Sequence, residues 1–186
     1  MGKAIGYILA QFAGAFLAAT MVFLVYGHTI EGFESNNGII RGEPGSEASA
    51  MIFGEFYPNP GGEALPEQDQ RAITGPQGFL SELIGTAILA LVVFTLTDKR
   101  SNVLPAWLIP FAIGITLTVL ISLFAPVSMG GFNPARDLAP RIFSSLVGWG
   151  NLPFSINGYG WLTVYVIAPI LGALLGGLGH RLLLSR

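Results

Sequence analysis

The stretch Gly130-Gly131-Phe132-Asn133-Pro134-Ala135-Arg136-Asp137 decides how this chain folds. It places a strong helix start directly after a flexible Gly-Gly pair. Asn is a favoured N-cap whose side-chain oxygen accepts a backbone N–H of the first turn. Pro suits the first helical position, because no N–H partner is needed there. Asp137 in the first turn complements the positive end of the helix dipole. The stretch therefore predicts a helix that begins at Asn133.

This predicted helix is too short to cross a bilayer. Its apolar run covers 133–147 and stops before Gly148-Trp149-Gly150. A helix of about ten residues is about 15 Å long, which is half of the roughly 30 Å hydrocarbon core. Backbone that stops at that depth is tolerated only inside protein or beside a water-filled cavity. We therefore expect a re-entrant half-helix over 133–147, which is the first indication of a pore.

The rest of the chain has the composition of a membrane protein. Only 11% of its residues are charged and its mean hydropathy is +0.62, whereas soluble domains carry about 25% charged residues. Apolar stretches of the roughly 20 residues that a span requires lie at about 4–26, 79–97, 105–124 and 161–184. The sequence thus predicts an all-α membrane protein, a single domain over 1–186 with four transmembrane helices plus the re-entrant half-helix.

Several function classes are disfavoured by the residues present. The chain has no cysteine and only His28 and His180, which lie far apart, so we expect no metal site and no cofactor. No basic run exists to neutralise phosphates, which argues against nucleic acid as a partner. No nucleophile–base arrangement points to an enzyme, and no series of intramembrane acids points to an ion-coupled transporter.

The distribution of charge predicts the orientation of the chain in the membrane. The loop 27–78 is rich in Gly and Pro and holds most of the acidic residues. Basic residues flank the other ends of the predicted spans: Lys3, Lys99, Arg100, Arg181 and Arg186. Because Lys and Arg near span ends favour the cytoplasm, we expect both termini inside and the loop 27–78 outside.

Two ionisable residues are predicted at membrane depth, Arg136 and Glu82. An arginine within a membrane costs about 2.5–3.5 kcal/mol on insertion scales and is a functional hypothesis by default. Its N–H donors, with the NH₂ group of Asn133, could hold the oxygens of a polyol or of water. The alternative is an ordinary helix start in which Arg136 pairs with Asp137 or Glu82. Glu82 itself is predicted to accept bonds from the bent re-entrant backbone, with a proton relay as the alternative.

The first and last spans share a pattern of small and apolar residues. Residues 10–18 match residues 168–176 in this pattern, and channels and transporters are often built from inverted repeats. The last span follows two spans and a half-helix, whereas the first follows three residues. The symmetry therefore suggests that two spans and one half-helix are absent from the amino-terminal side.

The chain resembles the major intrinsic protein family. The resemblance rests on the run 130–143 with Gly148-Trp149-Gly150, and on Tyr57-Pro58-Asn59-Pro60 in the outer loop. It implies an aquaporin-like helical bundle with inverted repeats. Within the family, an acid after the Asn-Pro-Ala-Arg run and a basic residue four positions later mark the glycerol-conducting aquaglyceroporins, and Asp137 and Arg141 match both marks.

The resemblance also implies which residues select the permeant. It makes Arg136 the central donor of a narrow filter, with Gly130 where an aromatic residue often stands and bulky Ile121 in the facing wall. The predicted pore residues are Asn133, Pro134, Ala135, Arg136, Asp137, Gly130, Gly131, Phe132 and Ile121. The predicted supporting residues are Glu82 and Arg141. Tyr165-Val166 combines the aromatic residue of water channels with the aliphatic residue of glycerol channels.

The function that the resemblance implies is a passive channel for glycerol and water that excludes protons and ions. Homotetrameric assembly in the lipid bilayer of the plasma membrane is implied with it. The alternative is a non-conducting truncated fragment or isoform, which lacks the first two spans and the first Asn-Pro-Ala half-helix of the family. Glycerol uptake into reconstituted vesicles separates the two.

Overall fold

A computed structural model describes residues 2–61, 73–98, 100 and 104–184. Within these ranges the regular secondary structure is helical, and four helices are long and apolar enough to cross a membrane. The predicted all-α class with four membrane-capable helices is therefore confirmed. Part of the predicted outer loop, residues 62–72, lies outside the described residues.

The helices follow one another in a simple order. They are α1 (Gly2–Asn36), α2 (Glu47–Ala50), α3 (Gly75–Thr97), α4 (Ile109–Ser128), α5 (Pro134–Ser144), α6 (Leu152–Ser155) and α7 (Gly160–Leu184). The short helix α5 continues into a wider π-type turn over Ser145–Trp149 and ends where Gly148 takes φ of 124°. A left-handed residue with no Cβ ends the helix without strain.

The helix α1 extends ten residues beyond the predicted span, which ended at 26. No proline interrupts this part of the sequence, so the helix continues until Gly38 takes φ of 65°. The amides of Asn37 and Ile39 bond back to the carbonyls of Phe33 and Glu34 at 3.1 and 2.8 Å. These bonds satisfy carbonyls that a helix end leaves without partners. Hydropathy locates the apolar part of a helix and not its end.

The helix α3 begins at Gly75, before the predicted start at 79. Hydropathy assigns the polar first turn of α3 to the preceding loop, but the capping residues start the helix there. The backbone N–H of Thr74 donates to Oε1 of Gln77 at 2.7 Å, which is the side-chain half of a capping box. Pro76 lies in the first turn, where a missing N–H is harmless.

Helices α3 and α7 form the closest helix pair in this part of the fold. A Cβ at Gly172 would overlap the carbonyl oxygen of Leu83, and one at Gly176 would overlap that of Ala87. Small residues at this spacing let two helix backbones approach directly. The pair forms the wall against which the re-entrant segment folds.

The outer loop anchors the end of α5. Trp149 is fully buried, and its indole N–H donates to Oγ of Ser49 at 3.1 Å. The guanidinium of Arg41 lies 4.3 Å from the centre of the Trp149 ring and pairs with Glu34 at 2.7 Å. A cation over an indole face is attracted by the ring. This network fixes the half-helix to the carboxyl-terminal end of α1.

An ionic cluster lies at the opposite end of the α3–α7 pair. The guanidinium of Arg100 is 3.0 Å from Oδ2 of Asp98, and Nε2 of His180 is 3.2 Å from the same oxygen. Hydrogen bonds from the side chain and backbone of Arg100 hold the pKa of Asp98 well below its usual range. The cluster joins the end of α3 to the last turns of α7.

Candidate pore and filter site

The half-helix α5 begins with a capped asparagine. The backbone of Asn133 is extended, and its Oδ1 accepts the N–H of Ala135 at 2.9 Å. With this oxygen occupied, the NH₂ group points away from the helix and lies 3.5 Å from Oε1 of Gln11 on α1. Pro134 occupies the first helical position. The cap therefore turns the donor end of the Asn133 amide toward α1.

Arg136 lies one turn further on the same face of α5. Its side chain is 53% exposed and forms an ion pair with Glu55, whose own side chain is 1% exposed. The alternatives considered from the sequence paired Arg136 with Asp137 or Glu82. Both of those carboxylates have other partners in the structure. The acid that contacts Arg136 comes from the outer loop.

Asp137 pairs with Arg141 instead. The Nη2 atom of Arg141 is 2.7 Å from Oδ1 of Asp137, with both side chains 1% exposed, and its Nε is 3.0 Å from Oδ2. The same guanidinium donates to the carbonyls of Pro153 and Glu55. Buried charges are tolerated when they are paired and hydrogen-bonded, and this pair meets both conditions. Asp137 and Arg141 thus form the support behind the cleft and do not line it.

Glu82 holds the turn that leads into α5. Its Oε1 accepts the backbone N–H of Gly131 at 2.9 Å and its Oε2 that of Phe132 at 2.7 Å. Phe132 has φ of 53°, a left-handed conformation that side chains other than glycine adopt rarely. Charge-assisted bonds to both amides stabilise this conformation. The carboxylate of Glu82 therefore fixes the backbone immediately before Asn133.

The ring of Phe132 packs into the bundle and does not face the cleft. It occupies the space that a Cβ at Gly85 on α3 would take, and its centre lies 6.1 Å from that of Phe124 on α4. Gly130 and Gly131 are also buried. Ile121 on α4 is 37% exposed, and its Cα lies 3.4 Å from where a Cβ on Gly130 would be. Ile121 and Gly130 are therefore neighbours.

An open cleft of about 580 Å³ runs between α1 and α5. Its α1 side consists mainly of small residues, which leave room beside the helix. Its α5 side carries the two polar groups of the motif, Asn133 and Arg136. The cleft is lined by Gln11, Gly14, Ala15, Ala18, Ala19, Val22, Ile52, Phe53, Asn133, Ala135, Arg136 and Pro140. The structure thus brings Asn133, Ala135 and Arg136 together on one largely apolar cleft.

Tyr165 belongs to the support of the site. Its side chain is buried and its hydroxyl donates to the carbonyl of Ser128 at 3.3 Å. The guanidinium of Arg141 lies 5.4 Å from the Tyr165 ring and 4.9 Å from the Phe56 ring. The aromatic character of position 165 is therefore explained by contact with Arg141 and not by the width of the cleft.

Sequence reasoning missed Glu55 and Gln11 as site residues. Glu55 was one more acid of an acidic loop, and Gln11 lay within the pattern of small and apolar residues over 10–18. A signal for Glu55 was present, because it lies within Phe53-Gly54-Glu55-Phe56-Tyr57. Aromatic neighbours of this kind favour burial, and no other acid of the loop has aromatic residues within two positions on both sides. Across the described ranges, no group of three or more His, Cys, Asp or Glu residues could hold a metal ion.

Comparison with known proteins gives a consistent assignment. A family model described as major intrinsic protein matches residues 1–180. The glycerol uptake facilitator protein of Pseudomonas aeruginosa is 38% identical over 181 residues, which cover 97% of this chain and 61% of the relative. The Escherichia coli K12 protein of that name is 35% identical over 99% of this chain and 62% of its own length. Aquaporin-9 of Rattus norvegicus is 36% identical over 96% of this chain and 55% of its own length.

The fold is similar to that of a solved channel. The X-ray structure of the aquaglyceroporin from Plasmodium falciparum superposes with a TM-score of 0.75 at 22% identity, covering 100% of this chain and 66% of that one. At this identity the likeness shows the fold alone. The chain spans between about half and two-thirds of the length of these relatives. With its re-entrant half-helix and its match to the family model from residue 1 to residue 180, the chain belongs to the major intrinsic protein family.

Proposed function

We propose that this chain is a passive channel for glycerol and water and not an enzyme. The observation that carries the proposal is that the amide of Asn133 and the guanidinium of Arg136 line one apolar cleft. A solute with several hydroxyl groups needs donors for its oxygens and an apolar wall for its carbon atoms. The names of the relatives, glycerol uptake facilitator and aquaporin, support the same function.

Exclusion of ions follows from the same features. The amino-terminal end of a helix carries partial positive charge, and the amide of Asn133 and the guanidinium of Arg136 turn N–H donors toward the cleft, so a cation meets a barrier. Aquaporin-type channels are the established example of selectivity from pore width, lining donors and an electrostatic barrier such as an arginine. Water and polyols replace their lost hydrogen bonds at Asn133 and Arg136, whereas a small ion loses more hydration than these groups return.

The proposal is tested by solute uptake into vesicles that contain the purified chain. We expect glycerol to enter faster than into protein-free vesicles, with a rate that depends on neither a sodium nor a proton gradient. Uptake equal to that of protein-free vesicles contradicts a channel formed by this chain. Uptake that requires an ion gradient points to a coupled transporter.

We further propose cytoplasmic termini, an external outer loop and homotetrameric assembly in the plasma membrane. The distribution of Lys and Arg supports the orientation, and the exposed apolar side chains of α1 and α4 support burial in lipid or against further helices. Because the chain has no cysteine, single substitutions report sidedness cleanly. A membrane-impermeant maleimide applied outside intact cells should label Asn37→Cys and not Ala106→Cys. The mass of the complex in detergent tests the tetramer.

A further inference from the structure

The partner of Arg136 is a buried carboxylate from the outer loop, at Glu55. The side chain of Glu55 is 1% exposed and that of Arg136 is 53% exposed. The acid therefore lies behind the arginine, and the arginine faces the cleft. A permeating solute meets the guanidinium and does not meet the carboxylate.

The backbone of Glu55 is fixed from both sides. Its N–H donates to Oδ1 of Asp137 at 2.7 Å, and its carbonyl accepts from the guanidinium of Arg141. The side chain of Glu55 is buried and packs beside Gly131, where an added Cβ would lie 3.3 Å from Cγ of Glu55. The buried Asp137–Arg141 pair thus holds Glu55 in place, and Glu55 in turn contacts Arg136.

These ion pairs determine the net charge beside the cleft. Arg136 is paired with Glu55 and Arg141 with Asp137, so each guanidinium has its own counter-ion. An ion pair occupies part of the fixed N–H fork of an arginine and restricts where the remaining donors point. Only those remaining donors are available to a solute in the cleft.

We propose that Glu55 is a positioning residue. It neutralises Arg136, holds the guanidinium of Arg136 against the α5 side of the cleft and thereby determines which solutes pass. This inference rests on the proposed channel function. Glycerol must engage several donors at once, so its passage depends on the fixed guanidinium of Arg136 more than the passage of water does. The counter-ion also leaves the cleft without net charge from Arg136, so that neither cations nor anions are drawn into it.

The first test compares glycerol and water permeability of vesicles that contain Glu55→Gln. We expect the glycerol-to-water ratio to fall about tenfold, the change in selectivity that loss of one charge-assisted hydrogen bond produces. Glu43→Gln is the matched control, because it is the same substitution in the same loop at an exposed position, and its ratio should equal that of the unsubstituted chain. An unchanged ratio in Glu55→Gln overturns the proposal.

The second test is a double-mutant cycle that measures the coupling between Glu55 and Arg136. Arg136→Gln leaves the Glu55 carboxylate unpaired, so it should admit sodium into vesicles and unfold at a lower temperature, since a buried charge without a partner is strongly destabilising. The double variant Glu55→Gln/Arg136→Gln should lose the sodium leak and recover thermal stability. Effects on stability that simply add in the double variant show no coupling, and they overturn the proposal.

The two proposals fail in different ways. If the unsubstituted chain takes up no glycerol, the channel function is contradicted, and the stability cycle still reports whether Glu55 and Arg136 are coupled. If the unsubstituted chain takes up glycerol and Glu55→Gln behaves like Glu43→Gln, the channel function stands and the role of Glu55 is rejected.

Discussion

Asp137 and Arg141, one helical turn apart on α5, form a buried ion pair with Nη2 of Arg141 2.7 Å from Oδ1 of Asp137. From the sequence, Asp137 is predicted to line the pore and Arg141 to support it, and the resemblance makes both of them marks of a family branch. The structure shows that their pair carries backbone bonds to Glu55 and Pro153. It therefore joins the half-helix to the outer loop and to α6.

Removal of one partner of this pair should be costly. Arg141→Met leaves Asp137 ionised and buried, which typically destabilises a fold by about 3–5 kcal/mol. We expect the double variant Asp137→Asn/Arg141→Met to recover a large part of that loss, because no unpaired charge remains. Chemical unfolding of the purified protein in detergent measures the free energy of unfolding of the single and the double variant. A double variant less stable than Arg141→Met would contradict the assignment of the pair.

Glu82→Gln should loosen the turn before Asn133. The substitution replaces one acceptor oxygen with an NH₂ group, whereas Gly131 and Phe132 each donate to a separate oxygen of Glu82. Loss of one hydrogen bond to a charged group corresponds to about 1.5–3 kcal/mol. We expect lower thermal stability together with slower glycerol uptake. Ser128→Ala, which removes only the hydroxyl that donates to Glu82 at 2.7 Å, should have a smaller effect on both.

A methyl group added at Gly176 should separate α3 from α7. A Cβ there would overlap the carbonyl oxygen of Ala87, and overpacking of this kind costs about 1–3 kcal/mol. Gly179→Ala is the matched control, because the nearest atom to its Cβ is Cδ1 of Leu91 at 3.7 Å, an ordinary contact. In thermal unfolding, Gly176→Ala should therefore be destabilised and Gly179→Ala should not. Equal stability of the two variants would contradict the close helix approach.

The Asp98 cluster should make stability depend on pH in the acid range. The pKa of Asp98 is lowered, chiefly by the side chain of Arg100, so the ionised form stabilises the folded chain. This contribution is complete above the unfolded pKa of about 4 and is lost as the pH falls toward the lower folded value. Asp98→Asn should therefore lower the unfolding temperature at pH 7 and have a smaller effect at pH 3. An effect that is larger at pH 3 would contradict this assignment.

The helical part of the fold could be predicted because membrane helices have a strong apolar signal. The motif at Asn133 and Pro134 fixed the start of α5, since capping chemistry depends on neighbouring residues only. Hydropathy predicted the carboxyl-terminal end of α1 and the start of α3 less accurately. Both ends are polar, and they are determined by hydrogen bonds at Gly38 and Thr74 that hydropathy does not measure.

The site could be predicted only where it is local in sequence. Asn133 and Arg136 share a helix face because they are three residues apart. The contact between Glu55 and Arg136 joins segments about 80 residues apart, and nothing near either residue specifies it. The resemblance implies that Phe132 is a pore residue, whereas its left-handed backbone turns the ring toward Gly85.

The channel function is tested by the initial rate of glycerol entry into vesicles that contain this chain, recorded by light scattering after an osmotic step. We expect a rate clearly above that of protein-free vesicles, unaffected by ionophores that dissipate sodium and proton gradients. We also expect no accompanying sodium entry. A glycerol rate equal to that of protein-free vesicles, with the protein folded and inserted, would contradict the channel function.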